Sequence, residues 1–208
     1  MASTDTRFLH AIDLAGTFVL SIQGASMGAA KGLDALGVLV VSLVTATGGG
    51  IMRDVLIGEH PPEALRGWPL VSVALIGGIL TFFAYHSIEQ IPEALLVVID
   101  ALGLSLLAVA GAEKALEYKL TPIAAVMMGA ISGAGGYTIR DILLAQVPAV
   151  LRVDFLATAA IAGAAVLVIV RYMKVPAKGA ALLGGATCCI LRIVAVWQHW
   201  SLPAANLH

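Results

Sequence analysis

Two arginine–aspartate pairs, Arg53-Asp54 and Arg140-Asp141, stand just behind clusters of glycine inside long apolar stretches. The first follows Gly48-Gly49-Gly50-Ile51-Met52; the second follows Gly133-Ala134-Gly135-Gly136-Tyr137-Thr138-Ile139. A charge at the centre of a hydrocarbon layer costs at least about 2.5–3.5 kcal/mol on insertion scales, so these four groups need partners or water. Consecutive glycines cost roughly 1 kcal/mol each in a helix interior and permit non-helical backbone angles, so each cluster predicts a kink or an unwound turn. Carbonyls freed by such a turn are tolerated only inside protein or along a water-filled cavity, where they can coordinate a cation in transit. Small residues also serve close helix packing. Clustering, double occurrence and the charged pair that follows each cluster favour the functional break.

Neighbouring helix positions differ by about 100°, so an Arg and the Asp beside it are expected to face different ways. Cross-pairing of Arg53 with Asp141 and of Arg140 with Asp54 is the expectation that follows, with snorkelling of the arginines to the headgroups as the alternative. Asp13 and Asp100 begin their apolar stretches at matching positions and suit either helix capping or a role in a polar path.

The elements that position these residues are legible from an internal repeat. Asp13, Gly16, Gly24, Arg53, Asp54 and Leu56 recur as Asp100, Gly103, Gly111, Arg140, Asp141 and Leu143, each at the same offset (140 − 53 = 87). Hydrophobic residues make up 60% of the chain, charged residues only 12%, and the mean hydropathy is +0.96. Soluble domains carry roughly 25% charged residues, so a soluble fold is excluded, and the unbroken Ala/Leu/Gly/Val runs without a period of two exclude a β-barrel. The apolar runs predict seven membrane helices: Phe8 to Met27, Leu33 to Ile57, Trp68 to Tyr85, Pro92 to Ala112, Thr121 to Val147, Phe155 to Tyr172 and Ala177 to Trp197. The fold class is therefore all-α integral membrane, one transmembrane domain over 1–208. Repeat one spans about 8–87, repeat two about 92–173, and a seventh helix about 177–199 follows. An odd number of spans per copy makes the repeats inverted, an arrangement that places a solute path at the repeat interface near the midplane.

A net charge of −1 without a basic cluster argues against nucleic acid as a partner and leaves the lipid bilayer. Cys188 and Cys189, adjacent in an apolar run, read as buried thiols. No nucleophile–base pairing and no structural metal cluster is visible, so neither an enzyme nor a cofactor is expected. His10, His60, His86, His199 and His208 lie near loops or ends and receive no role, and Arg192 is expected to face protein or snorkel. Trp68, Tyr85, Tyr172, Trp197 and Trp200 mark span ends, as interfacial aromatics do. No small-residue cleavage site closes the first span, which is read as a retained helix. Arg7, Arg66, Lys114, Lys119, Arg171, Lys174 and Lys178 flank the N-terminal side against Lys31 and Arg152 opposite, which puts the N-terminus in the cytoplasm of a cell-membrane protein.

The pair Gly-Gly-Gly-Ile-Met-Arg-Asp and Gly-Gly-Tyr-Thr-Ile-Arg-Asp, within two three-span repeats plus a seventh span, resembles the prokaryotic trimeric intracellular cation (TRIC) channel family over nearly the whole chain. The resemblance implies a homotrimer in which each subunit holds an hourglass-shaped path for K⁺ and Na⁺, lined by glycine-kinked helices two and five. It further implies that Gly48, Gly49, Gly50, Gly133, Gly135 and Gly136 form the kinks and hold ions transiently, with Arg53, Asp54, Arg140 and Asp141 beside the pore. Tyr137 stands where the first copy has Gly50 and is expected to narrow or gate the path. Related bacterial sequences with the same signature are labelled glycine transporters. A carrier for a small zwitterion such as glycine, held at its carboxylate by Arg53 or Arg140, is therefore the alternative function.

Overall fold

The computed structural model describes residues 4–88, 92–152, 155–198 and 200, and these form eight α-helices and one 3-10 turn. In chain order they are α1 (Thr4–Ala30), α2 (Ala35–Leu56), the short α3 (Glu63–Arg66), α4 (Trp68–Ile88), α5 (Glu93–Glu117), α6 (Pro122–Leu143), a 3-10 turn (Ala149–Leu151), α7 (Leu156–Tyr172) and α8 (Ala177–Trp197). Each of the seven apolar runs is a helix. Six are long and apolar enough to cross a membrane, and α7, with 17 residues, is the short one. At 1.5 Å per residue α7 reaches about 26 Å, close to the lower limit for a span. The break at Glu89-Gln90-Ile91, His199 and His208 lie outside the described residues.

Two boundaries differ from the sequence reading, with consequences for the site. α5 runs past Ala112 to Glu117, so Glu113 and Lys114 are helical rather than flanking. The connection between α2 and α4 holds α3, and the matching connection between α6 and α7 holds the 3-10 turn. α2 starts on Asp34, whose Oδ1 accepts from the Gly37 amide at 2.7 Å, and α6 starts on Thr121, whose hydroxyl accepts from the Ala124 amide, with Pro122 in its first turn. α1, α2, α5, α6 and α7 all end on a left-handed residue: Gly32, Gly58, Lys119, Ala145 and Lys174. The next amide bonds back five residues each time, as in Glu59 N to Asp54 O at 2.9 Å and Gln146 N to Asp141 O at 2.8 Å.

α2 runs unbroken through Gly48-Gly49-Gly50 and α6 through Gly133 to Gly136. Of the expected kink or unwound turn, the unwound turn is absent, since both segments stay helical throughout. The glycines serve contact instead. A Cβ on Gly49 would strike the Ser132 carbonyl of α6, and a Cβ on Gly136 would strike the Thr45 carbonyl of α2. These two contacts are reciprocal: adding 87 to Gly49 gives Gly136, and subtracting 87 from Ser132 gives Thr45. α1 and α5 repeat the pattern, Gly16 lying against Leu107 and Gly103 against Leu20. Side chains that a helix can shed at its crossing allow dispersion contact between backbones, the main attraction left to helices in lipid.

The flanks are apolar, and the charges that lie within the spans are buried inside a core that is otherwise apolar. Phe83, Ile123 and Leu182 are exposed on the flanks, while Asp13, Arg53, Asp54, Asp100, Glu113, Arg140 and Asp141 are buried. Trp68 opens α4, and Tyr172 and Trp197 close α7 and α8, all largely exposed, at positions suited to the interfacial belt.

Candidate functional site: two charged pockets either side of a glycine crossing

One turn beyond the crossing, each of α2 and α6 carries its Arg-Asp pair into a separate pocket; the two pockets share no lining residue. In the first, the Arg53 Nε donates to Asp54 Oδ1 at 2.9 Å, Nη2 to Asp13 Oδ2 at 3.4 Å, and Nη1 to the Ser132 hydroxyl at 3.5 Å. The Asp54 Oδ2 accepts from the Glu63 amide at 2.9 Å, which anchors the first residue of α3. The Lys114 Nζ of α5 stands among three carboxylates: 2.9 Å from Asp54, 2.7 Å from Glu59 and 2.9 Å from Glu63. His10 reaches Glu63 at 3.0 Å and Arg66 reaches Glu59 at 2.9 Å. Burial pushes the Glu63 carboxyl up, but the hydrogen bond and charge of Lys114, with His10, outweigh burial and hold it below the usual glutamate range. Gly50 borders this pocket with Thr17 and Thr47, and the free space is about 10 Å³, the size of one water.

The second pocket has the same plan with different occupants. Arg140 Nε and Nη2 both donate to Asp141 Oδ1, at 2.9 and 2.7 Å, and the Asp141 Oδ2 accepts from the Ala149 amide at 2.8 Å. That last bond matches the one from Glu63 to Asp54. Where Asp13 takes an arginine, Asp100 takes the Tyr137 hydroxyl at 2.8 Å, the Arg192 Nε at 3.1 Å and the Gln23 amide. Tyr137 is buried, fills the space that Gly50 leaves open in copy one, and lies under the Arg140 guanidinium at 5.1 Å. This pocket is open, about 340 Å³ in volume, and is lined on the polar side by Gln23, Asp100, Arg140, Asp141, Gln146, Arg152 and Arg192.

Several sequence expectations are corrected by this geometry. The cross-pairs Arg53–Asp141 and Arg140–Asp54 do not form; each arginine binds the aspartate beside it. The Nε lies three carbons along a flexible stem, so the side chain folds back over the neighbouring residue despite the helical turn of 100°. The arginines do not snorkel, being 1% and 5% exposed. Asp13 and Asp100 sit well inside α1 and α5 and cap nothing. Of the glycines, Gly49 and Gly136 form the crossing, and Gly135 lies against Gly49 and Met52. Gly48 faces Ile139, while Gly133 packs on α5 rather than α2. Arg192 faces protein, as one of its two expected placements has it.

Gln23, Glu59 and Glu63 carry no site role in the sequence reading, and Lys114 counts there only as a flanking cation. Lys114 had a signal: its counterpart at the repeat offset is Met27, also in the other pocket (114 − 27 = 87). Glu59 likewise corresponds to Gln146.

The family model described as "Glycine transporter" matches this chain twice, over residues 10–86 and 97–172. The UPF0126 inner membrane protein YadS of Escherichia coli strain K12 is 34% identical over 197 residues, covering 94% of this chain and 95% of that protein. A UPF0126 membrane protein of Deinococcus radiodurans is 38% identical over 202 residues, covering 96% and 93%. Among solved structures, a chain described under the structural basis for conductance through TRIC cation channels superposes with a TM-score of 0.89 at 35% identity, covering 96% of this chain and 98% of that one. The TRIC trimeric intracellular cation channel orthologue from Rhodobacter sphaeroides superposes with a TM-score of 0.86 at 33% identity, covering 92% and 98%. The resemblance read from the two glycine motifs is borne out by these structures.

Proposed function

This chain belongs to the UPF0126 membrane-protein family, whose model is described as a glycine transporter, and we propose that it is a cation channel of the TRIC type. The path runs inside each subunit, from one charged pocket to the other, past the α2–α6 crossing. The observation that carries this reading is the reciprocal contact of Gly49 with Ser132 and of Gly136 with Thr45, with a buried Arg-Asp pair one turn beyond on either helix. Such a crossing is what two inverted three-helix copies would build around a twofold axis in the membrane plane. The two stretches matched by the family model support that duplication.

The narrowest part of the path lies at Gly49 and Gly136, flanked by Gly48, Gly50, Gly133 and Gly135. Without released carbonyls, the sites that slow and pass an ion are side chains: Asp13, Thr17, Thr47 and Asp54 below the waist, Asp100 and Asp141 above it. Hydroxyl and carboxylate sites of this kind discriminate K⁺ from Na⁺ poorly, because no rigid ring of carbonyls sets a preferred ionic radius. Tyr137 narrows the second half. The assembly is a homotrimer by likeness to the TRIC structures, set in the cell membrane with its N-terminus on the cytoplasmic side.

Purified protein in planar bilayers should give unitary currents whose reversal potential follows the K⁺ or Na⁺ gradient. Anion-selective currents, or none at all, would overturn the channel reading. The family description favours a second reading, an alternating-access carrier for a small zwitterion such as glycine. Arg53 and Arg140 are paired with aspartates, so a substrate carboxylate held by either would compete with Asp13 and Asp54 or with Asp141. Saturable uptake with tracer exchange in proteoliposomes would establish it.

A further inference from the structure

The two pockets differ in how their charges are completed. Around the first, Asp13, Asp54, Glu59 and Glu63 outnumber Arg53, Arg66 and Lys114, and the chain supplies its own cation to the centre of the carboxylates through Lys114. Its residual space holds about one water. Around the second, Arg140, Arg152 and Arg192 face Asp100 and Asp141, so the sign of the excess is reversed.

Arg140 is neutralised by Asp141 and Arg192 by Asp100. Arg152 is exposed and has no ion-pair partner among the described residues. The position that corresponds to Lys114 is Met27, and the Glu59 position is Gln146, so neither supplies a counter-charge. The space is open instead, about 340 Å³. Two residues lining it each carry a buried polar atom without a hydrogen-bond partner, the Arg192 Nη1 and the Gln23 Oε1, and both residues grip Asp100. An unpartnered buried donor is costly unless something accepts from it.

We infer that this pocket, between the ends of α1, α5, α6 and α8, binds the carboxylate of a small solute through Arg152 and Arg192. A monovalent anion matches the single excess positive charge. A carboxylate matches the guanidinium better than a halide does, because two coplanar oxygens accept from two N–H groups at once. The unpartnered Gln23 Oε1 suits an ammonium on the same solute. The site has no counterpart in the first pocket and holds for a channel or a carrier alike, since binding rather than transport reads it out.

The test is thermal unfolding of the purified protein in detergent, with sodium acetate or glycine titrated at constant ionic strength held by sodium chloride. A ligand that binds only the folded state raises Tm with concentration. Acetate should raise Tm where chloride does not. Arg152→Gln should weaken the response on the order of tenfold, while Lys31→Gln, an exposed cation change on the same side, leaves it intact. Tighter binding of glycine than acetate, with the margin lost in Gln23→Leu, would identify an amino acid as the source; equal affinity would identify a simple monocarboxylate. An equal rise with chloride, or an undiminished acetate response in Arg152→Gln, would overturn the site. A failure of the bilayer currents would leave this result untouched, so the two readings fall separately.

Discussion

Gly49 and Gly136 matter for what they lack, whereas Gly50 sits in the same run and should behave differently. At the first two positions a Cβ meets a backbone carbonyl, which cannot rotate away, so Gly49→Ala and Gly136→Ala should each destabilise by about 1–3 kcal/mol through overpacking of the crossing. At Gly50 the nearest atom is the Arg53 Nη2, at 3.7 Å, and Gly50→Ala should be neutral or stabilising by up to about 1 kcal/mol through helix propensity. Chemical or thermal unfolding in detergent separates the cases; equal losses at all three would make the glycines a flexible hinge after all. Lys114→Met tests the other missed residue. It leaves three carboxylates around an empty position, and a loss of about 3 kcal/mol is expected from breaking a buried pair. The motif residues were legible because repetition at a fixed offset marks them. Their partners were not, since choice of partner depends on side-chain reach: Arg53 and Arg140 take the adjacent aspartate by folding back, which no helical wheel displays. Lys114 was hidden by a boundary, one and a half turns of α5 that polar residues made look like loop.

The helices themselves were readable from hydropathy because lipid demands long apolar runs; their ends were less so. Left-handed caps close both copies at matching positions, but with glycine in the first (Gly32, Gly58) and with Lys119 and Ala145 in the second. Glycine is the usual sequence mark of such a cap, so only half of them were visible. A non-glycine residue pays roughly 1–2 kcal/mol for the left-handed conformation, against about 0.5–1 kcal/mol of chain entropy that glycine loses. Ala145→Gly should therefore raise stability by about 0.5–1 kcal/mol, measured as Tm against the parent protein. α3 depends on the Glu63 amide bonded to Asp54 and on the Glu63 carboxylate bonded to Lys114 and His10. Because the folded-state Glu63 is held below the usual glutamate range, its contribution is present above that range, near pH 4.3, and is lost as pH falls through the lowered value. Glu63→Gln should flatten that part of the Tm-against-pH curve. An unchanged curve would show that Glu63 is not ionised differently in the fold.

At the scale of the molecule, one duplicated plan has produced two unequal halves. The pseudo-equivalent pockets lie toward opposite ends of the bundle: the first among the first half of α1, the end of α2, α3, the start of α4 and the middle of α5, the second among the end of α1, the start of α5, the end of α6 and the late part of α8. The first, where Lys114 binds the lining carboxylate of Asp54, has a free space of about 10 Å³, while the second stands open at about 340 Å³. If the two copies are inverted, as proposed, solvent is expected to enter from only one face in this state, through the pocket that Tyr137 lines. Cysteine accessibility tests this in a Cys188→Ala, Cys189→Ala background, which removes the two native thiols. In proteoliposomes of known orientation, a membrane-impermeant thiol reagent added on the face opposite the N-terminus should modify Val97→Cys, which lines the open pocket. Added to either face, it should leave Thr17→Cys, in the closed pocket, unmodified. Pairing the second probe with Lys114→Met should open it from the N-terminal face alone. Modification of Val97→Cys and the opened Thr17→Cys from the same face would mean that the two copies run parallel, and the paired pockets would then be two ends of nothing continuous.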